Sequence, residues 1–341
     1  MFAEFQEALR AEAPPFSTSK PRYDLDTFVG RSLHFYSVND PRTLLVGSEG
    51  LEKARDLLSR YKESQEGGAP VKASNDELWA ARRALEATLH PDTGEPIPAL
   101  LRFSAFAPVN MVLVTAMLTP AVIGSFPLTI GVHFINQTYN AAINFANRNA
   151  SNPIPTQRLL EGYAGAVSTA VSIGMGATYL TKKAAAARPG LQGVIRATLP
   201  FLASSAAGAG NVALMRRTEL MTGVDVFDHE GNNRGQSIIA GETGVSKCAA
   251  ARVIWNIPIM MMPPVIMNKV GKHPLLAKSP LLTLATETLV VTAFLMGAVS
   301  PALAVFPQRD CLEVDGLEPQ FRNLLDSSGQ PVTKVWYNKG L

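Results

Sequence analysis

The chain has 341 residues, 47% of them hydrophobic and 17% charged, with a formal net charge of +3. That small basic excess, with no stretch of clustered Lys/Arg interleaved with aromatics, excludes a nucleic-acid-binding surface. The only cysteines, Cys248 and Cys311, are too few and too far apart for a disulfide scaffold or a thiolate metal cluster.

From the N-terminus, the segment Met1 to about Lys20 ends in Ala13-Pro14-Pro15 and reads as a loosely ordered arm. The first thirty residues carry Glu4, Glu7, Glu12, Asp24 and Asp26, unlike an Arg-rich, acid-poor presequence, so an organelle address is expected to be internal. Leu51, Ala54, Leu57, Leu58 and Tyr61 recur at helical spacing until Gly67-Gly68-Ala69-Pro70 breaks the pattern. A second short helix starts at Ser74, where Ser74 and Glu77 have capping-box spacing, and runs through Leu78, Ala81, Leu85 and Leu89. The turn His90–Glu95 collects His, Asp and Glu, but its Pro and Gly mark a tight turn and no second ligand cluster follows, so no metal is expected.

Beyond Arg102 the charge pattern changes. No Asp, Glu, Lys or Arg occurs from Phe103 to Asn147, and further charge-free runs cover Gly162–Thr181, Ala197–Met215, Val253–Asn268 and Thr288–Gln308. A spanning helix needs roughly 20 mostly apolar residues to cross about 30 Å of hydrocarbon. The expected fold is therefore all-α and multi-pass, with a helical region at 1–102, a transmembrane bundle at 103–308 and a tail at 309–341. Five spans are expected at about 103–119, 156–180, 191–215, 245–267 and 281–306, with a partial or amphipathic element at about 130–147. The loops carrying Lys182, Lys183, Arg188 and Arg196, and Lys269, Lys272 and Lys278, contain no acid. With five spans they share the N-terminal side, matrix or cytoplasmic; a full crossing at 130–147 reverses the N-terminus.

The polar cluster Ile135–Asn149 is the main candidate for chemistry. Asn136, Asn140, Asn144 and Asn147 are four, four and three residues apart and share one helix face with Gln137 beside them. Unpaired amides in lipid are costly, so the stripe must face protein, water or solute. Carboxamides donate and accept together, which suits a zwitterion such as an amino acid and equally an interhelical hydrogen-bond seam. Arg148 can attract a carboxylate or anchor the membrane boundary, and Asn110 can contribute from the preceding span.

Glu287 and Arg252 are isolated charges in apolar surroundings. Glu287 either snorkels to the interface or couples to a proton or to Arg252, because a central carboxylate costs about 2.5–3.5 kcal/mol on insertion scales. Pro258, Pro263 and Pro264 free backbone carbonyls that can line a polar cavity, while Met260, Met261, Met262 and Met267 serve as flexible filler. Asp228–Asn233 departs from the calcium-loop pattern and reads as a polar hairpin turn. No phosphate loop, dinucleotide fingerprint or nucleophile elbow occurs, so neither catalysis nor a cofactor is expected.

Taken in order, several landmarks carry a family resemblance: Tyr23-Asp24, Thr27–Arg31, His34-Phe35, Asp40-Pro41-Arg42, His90–Glu95 and Ile135–Asn149. Later ones are Leu214-Met215-Arg216, Glu219-Leu220, Pro263-Pro264, Ile266-Met267-Asn268 and Tyr337–Leu341. The chain resembles the sideroflexins, once labelled tricarboxylate carriers. That resemblance implies a protein of the mitochondrial inner membrane with about five spans, imported without a cleaved presequence, and serine transport feeding one-carbon metabolism. The expected partners are a small neutral amino acid and the lipid bilayer. The rival expectations are a citrate-type carboxylate carrier and a non-transporting scaffold in iron, haem or respiratory-complex homeostasis.

Overall fold

The computed structural model describes residue 4 and residues 13–91, 93–119, 121–122, 125–147 and 156–340. Among them the chain is mainly helical, with an antiparallel sheet near one end of the bundle.

The N-terminal region is built on three helices: α1 (Phe28–Val38), α2 (Ser48–Gln65) and α3 (Asn75–Thr88). Ser74 and Glu77 complete the expected capping box, satisfying otherwise orphaned amides at the start of α3. Phe16 meets Tyr61 and Trp79 edge to face at centroid distances of 5.1 and 4.8 Å, which ties the arm to α2 and α3. At the head of α1 the Thr27 hydroxyl accepts from the Gly30 amide. A Cβ at Gly30 would lie 1.9 Å from the Asp24 carbonyl oxygen, so this turn admits only glycine.

The bundle consists of α4 (Phe106–Leu118), α5 (Phe126–Ala146), α6 (Thr156–Ala187), α7 (Gln192–Met215), α8 (Arg217–Thr222), α9 (Ile238–Val270), α10 (Pro274–Ala277) and α11 (Pro280–Ala304). Among the described residues, α9 and α11 are both long and apolar enough to cross a membrane, and Phe103–Leu118 and Phe201–Met215 are shorter apolar helical segments. α4, α5, α9 and α11 share a core that includes Phe106, Ile143, Trp255, Val291, Leu295 and Val299. α1 lies on the C-terminal half of α11: Tyr36 donates to the Gly297 carbonyl at 2.6 Å and Arg31 Nε to the Ala304 carbonyl at 2.8 Å. A cation on the last carbonyls of α11 complements its helix dipole.

α9 continues through Pro258, Pro263 and Pro264. Each proline withdraws a donor, so the carbonyls of Ile254, Ile259 and Met260, one turn earlier, lose their usual helical partner. At about 1.5 Å per residue α9 is about 50 Å long, well beyond a hydrocarbon core of about 30 Å.

The expectation of an all-α fold needs correction. Strands β1 (Val224–Phe227), β2 (Asn233–Ser237), β3 (Arg309–Glu313) and β4 (Lys334–Asn338) form one antiparallel sheet in the order β2-β1-β4-β3. β1 and β2 enclose the expected polar turn, where the Asp228 carboxylate accepts from the Glu230 and Asn232 amides at 2.9 and 2.8 Å. The sheet covers Val224, Val226, Val335, Tyr337, Phe321 and Ala240, the last at the start of α9. Residues after 308 thus return to pair with a hairpin that precedes α9.

Candidate functional site

The outward residues of α5 include Leu128, Gly131, Phe134 and Ile135. At 100° per residue this face lies opposite the asparagine stripe, so the amides turn toward the bundle. Their partners then differ. Asn144 is 5% exposed and reaches two other helices: its Nδ2 donates to Asn211 Oδ1 of α7 at 2.6 Å, and its Oδ1 accepts from Arg252 Nη2 of α9. The Arg252 guanidinium lies 4.5 Å from the Trp255 ring centroid, a cation–π contact inside the bundle.

The rest of the stripe is more local. Asn140 Nδ2 donates to the Asn136 carbonyl of its own helix at 3.0 Å. Asn147 donates to the Ile143 and Leu101 carbonyls at 2.8 and 3.0 Å and closes the end of α5. Asn136 and Gln137 are half-buried, with no side-chain hydrogen bond among the described residues. Asn110 is buried on α4, where its Nδ2 donates to the Phe106 carbonyl at 2.8 Å. Arg148 lies outside the described residues.

Glu287 is half-buried in the first part of α11, and among the described residues no hydrogen bond or ion pair joins it to Arg252. Its neighbour Thr288 meets Thr115 near the end of α4 at 3.3 Å. The two isolated charges are therefore not partners here. No group of three or more His, Cys, Asp or Glu side chains among the described residues is placed to hold a metal.

A second polar layer lies at the sheet end of the bundle, where sequence reading had marked landmarks but no site. Arg216, 3% exposed, binds Glu219 in a two-pronged pair at 2.8 and 2.5 Å. It also donates to Cys248 Sγ at 2.9 Å and to the Lys339 carbonyl at 2.7 Å. After β4 the chain passes over Gly244, where an added Cβ would sit 3.4 Å from the Lys339 oxygen, and turns at Gly340 with φ +74°. Lys339 is fully buried, and its Nζ has no hydrogen-bond partner among the described residues. Burial comes first among the causes that hold Lys339 below the usual ammonium range; Cys248 pulls the other way, and the like charges of Arg216, Arg252 and Lys247 add to the lowering. Lys247 has its own carboxylate partner, Asp310.

The meeting of Leu214–Arg216, Glu219 and Tyr337–Gly340 explains why those distant landmarks occur together. A family model for sideroflexins matches residues 17–341. The chain belongs to the sideroflexin family. It is similar to "Sideroflexin" of Dictyostelium discoideum, with 37% identity over 96% of this chain and 98% of that protein. Similarity extends to human "Sideroflexin-5", at 38% over 97% and 94%, and to mouse "Sideroflexin-3", at 35% over 94% and 97%. No solved structure matches the chain.

Within this sideroflexin, sequence reading missed Asn211 and Lys339. Asn211 had a usable signal, an amide in the charge-free run Ala197–Met215. Lys339 had none, because a lysine near an exposed tail is ordinary and only the return of β4 buries it.

Proposed function

We propose that this sideroflexin carries small neutral amino acids, serine foremost, across the mitochondrial inner membrane by alternating access and without nucleotide or cofactor. In this reading residues 103–308 form the membrane bundle, with five crossings and the polar α5 beside them, flanked by an N-terminal region at 1–102 and a tail at 309–341. The observation that carries the proposal is the Asn144–Asn211–Arg252 cluster. It joins three helices with carboxamides and a guanidinium, groups that recognise the ammonium, hydroxyl and carboxylate of serine. Purified protein in liposomes is expected to take up labelled serine, and Asn144→Leu to abolish uptake while Asn140→Leu, with its amide on its own helix, retains most of it. Serine uptake that survives Asn144→Leu in a correctly assembled protein makes the cluster a structural seam.

A second reading, a carboxylate-metabolite carrier, is favoured by one observation: Arg252 and Lys339 have no carboxylate partner among the described residues. Citrate that competes with serine, or enters in its place, selects it.

A further inference from the structure

The charges near the sheet end of the bundle are unevenly matched. Arg216 uses Glu219 and Lys247 uses Asp310. Arg252 has only the neutral Asn144 as a described hydrogen-bond partner, and Lys339 has none at Nζ. Among the described residues, the buried polar atoms here without a partner include one acceptor, Gln308 Oε1, whose backbone carbonyl bonds the Lys339 amide, and the nitrogen donors of Asn211 and Lys339. Asn211 accepts from Asn144 through Oδ1 while its Nδ2 is buried without a partner, so Asn211 Nδ2 and Lys339 Nζ are both donors lacking an acceptor. Burying donors without acceptors is costly, and the Lys339 carbonyl lies 3.6 Å from Cys248 Sγ, one helical turn from Arg252 on α9, so the two cations add repulsion. An acceptor-only anion meets both needs at once, and a carboxylate, with two oxygens and about four lone-pair directions, matches this set.

We infer that Lys339, carried into the bundle by the residues after β4, acts with Arg252 and Asn211 as the subsite for the carboxylate group of the transported solute. The assignment rests on the solute-path reading, and it makes the residues after β4 a substrate-contacting element rather than a mere extension of the sheet. The same chemistry receives the carboxylate of serine or one carboxylate of a citrate-type metabolite. Arg216 is a positioning residue: its bond to the Lys339 carbonyl and the close approach of Gly340 fix where the lysine enters.

Lys339→Met keeps the length and apolar stem and removes the charge. Thermal unfolding of the full-length protein is measured with L-serine, with acetate and with serinamide, which lacks the carboxylate, alongside the concentration dependence of serine uptake. For the unaltered protein, L-serine and acetate are expected to raise the melting temperature and serinamide to leave it unchanged. Lys339→Met is expected to melt higher than the unaltered protein without ligand, to lose the carboxylate-dependent rise, and to show a KM for serine increased at least tenfold, with Lys339→Arg restoring part of it. A merely structural lysine gives the opposite pattern: Lys339→Met melts lower, or keeps both the carboxylate-dependent rise and the KM, and either result overturns the subsite. Where Lys339→Met does not fold, titration of the protein with Trp79 and Trp336 replaced by Phe, using L-serine against serinamide and read by the emission of Trp255 beneath Arg252, decides: equal responses overturn the assignment and a response to L-serine alone supports it. Absence of serine uptake together with a carboxylate-dependent rise that Lys339→Met removes overturns amino-acid transport and supports the subsite, whereas uptake with unchanged KM in Lys339→Met does the reverse.

Discussion

Two sets of cations in this chain meet within about one turn of α9, where Arg216 bonds Cys248 and Arg252 follows four residues on, and are built on opposite rules. At the cap, the sheet-bearing end of the bundle, three cations have carboxylates: Arg216 with Glu219, Lys247 with Asp310, and Arg234 with Asp228. Beside them Arg252 and Lys339 are buried, among the described residues, with neutral partners or none. Removing one member of a satisfied buried pair strands the other, whereas removing a cation that has no counter-ion relieves a cost. Neutralising a cation is therefore expected to cost most where a carboxylate faces it and least at Arg252 and Lys339.

The most severe way to break this contrast is Glu219→Ala, which leaves Arg216 buried without its carboxylate. A loss of about 3–5 kcal/mol is expected, read by chemical denaturation together with faster amide exchange in β4. Arg252→Met, with similar volume and no charge, is expected to lose far less stability in the same assay. Equal losses in the two variants would show that Arg252 is as fully satisfied as Arg216.

Acidification probes the cap more gently. Glu318 accepts from Ser237 Oγ at 2.8 Å and from the Ile238 and Ile239 amides at 2.6 and 3.0 Å, placing an anion at the start of α9. Burial works to raise its pKa, but these hydrogen bonds outweigh it and hold the carboxyl below its usual value. A depressed carboxyl contributes stability that is fully present above the unfolded value of roughly 4.3 and is lost as pH falls through the folded one. Amide exchange at Ile238 and Ile239 is expected to accelerate as pH drops from about 5.5 to below 4, after correction for intrinsic rates, with Glu318→Gln flattening that dependence. An unchanged slope in Glu318→Gln assigns the effect to another acid. The smallest expected change belongs to a site in neither region: Ser74→Ala, which removes one half of the capping box, is expected to cost about 1 kcal/mol and leave serine uptake intact. Altered uptake would tie α3 to the bundle more closely than its packing suggests.

Most of the helical framework was legible in the sequence because its signals are local. Charge-free runs mark the bundle, Gly67-Gly68-Ala69-Pro70 ends α2, and Ser74 with Glu77 starts α3. The sheet was not legible. β1 has four residues and β2, Asn-Arg-Gly-Gln-Ser, has no apolar side chain to set an alternation; β1 is held by β2 and by β4, more than a hundred positions later, and β2 by β1. Within the candidate site, spacing placed Asn136, Asn140, Asn144 and Asn147 on one face, but it does not say which of them meets another helix. That depends on Asn211 and Arg252 arriving beside Asn144 and not beside Asn140.

The bond from Arg216 to the Lys339 carbonyl spans 123 positions of sequence. During synthesis the arginine therefore emerges long before the residue that holds it in place, and closing so distant a contact is entropically slow. Until β4 docks, Arg216 lacks that acceptor, which makes the strand's arrival the step that completes the polar layer between α7, α9 and the residues after 308.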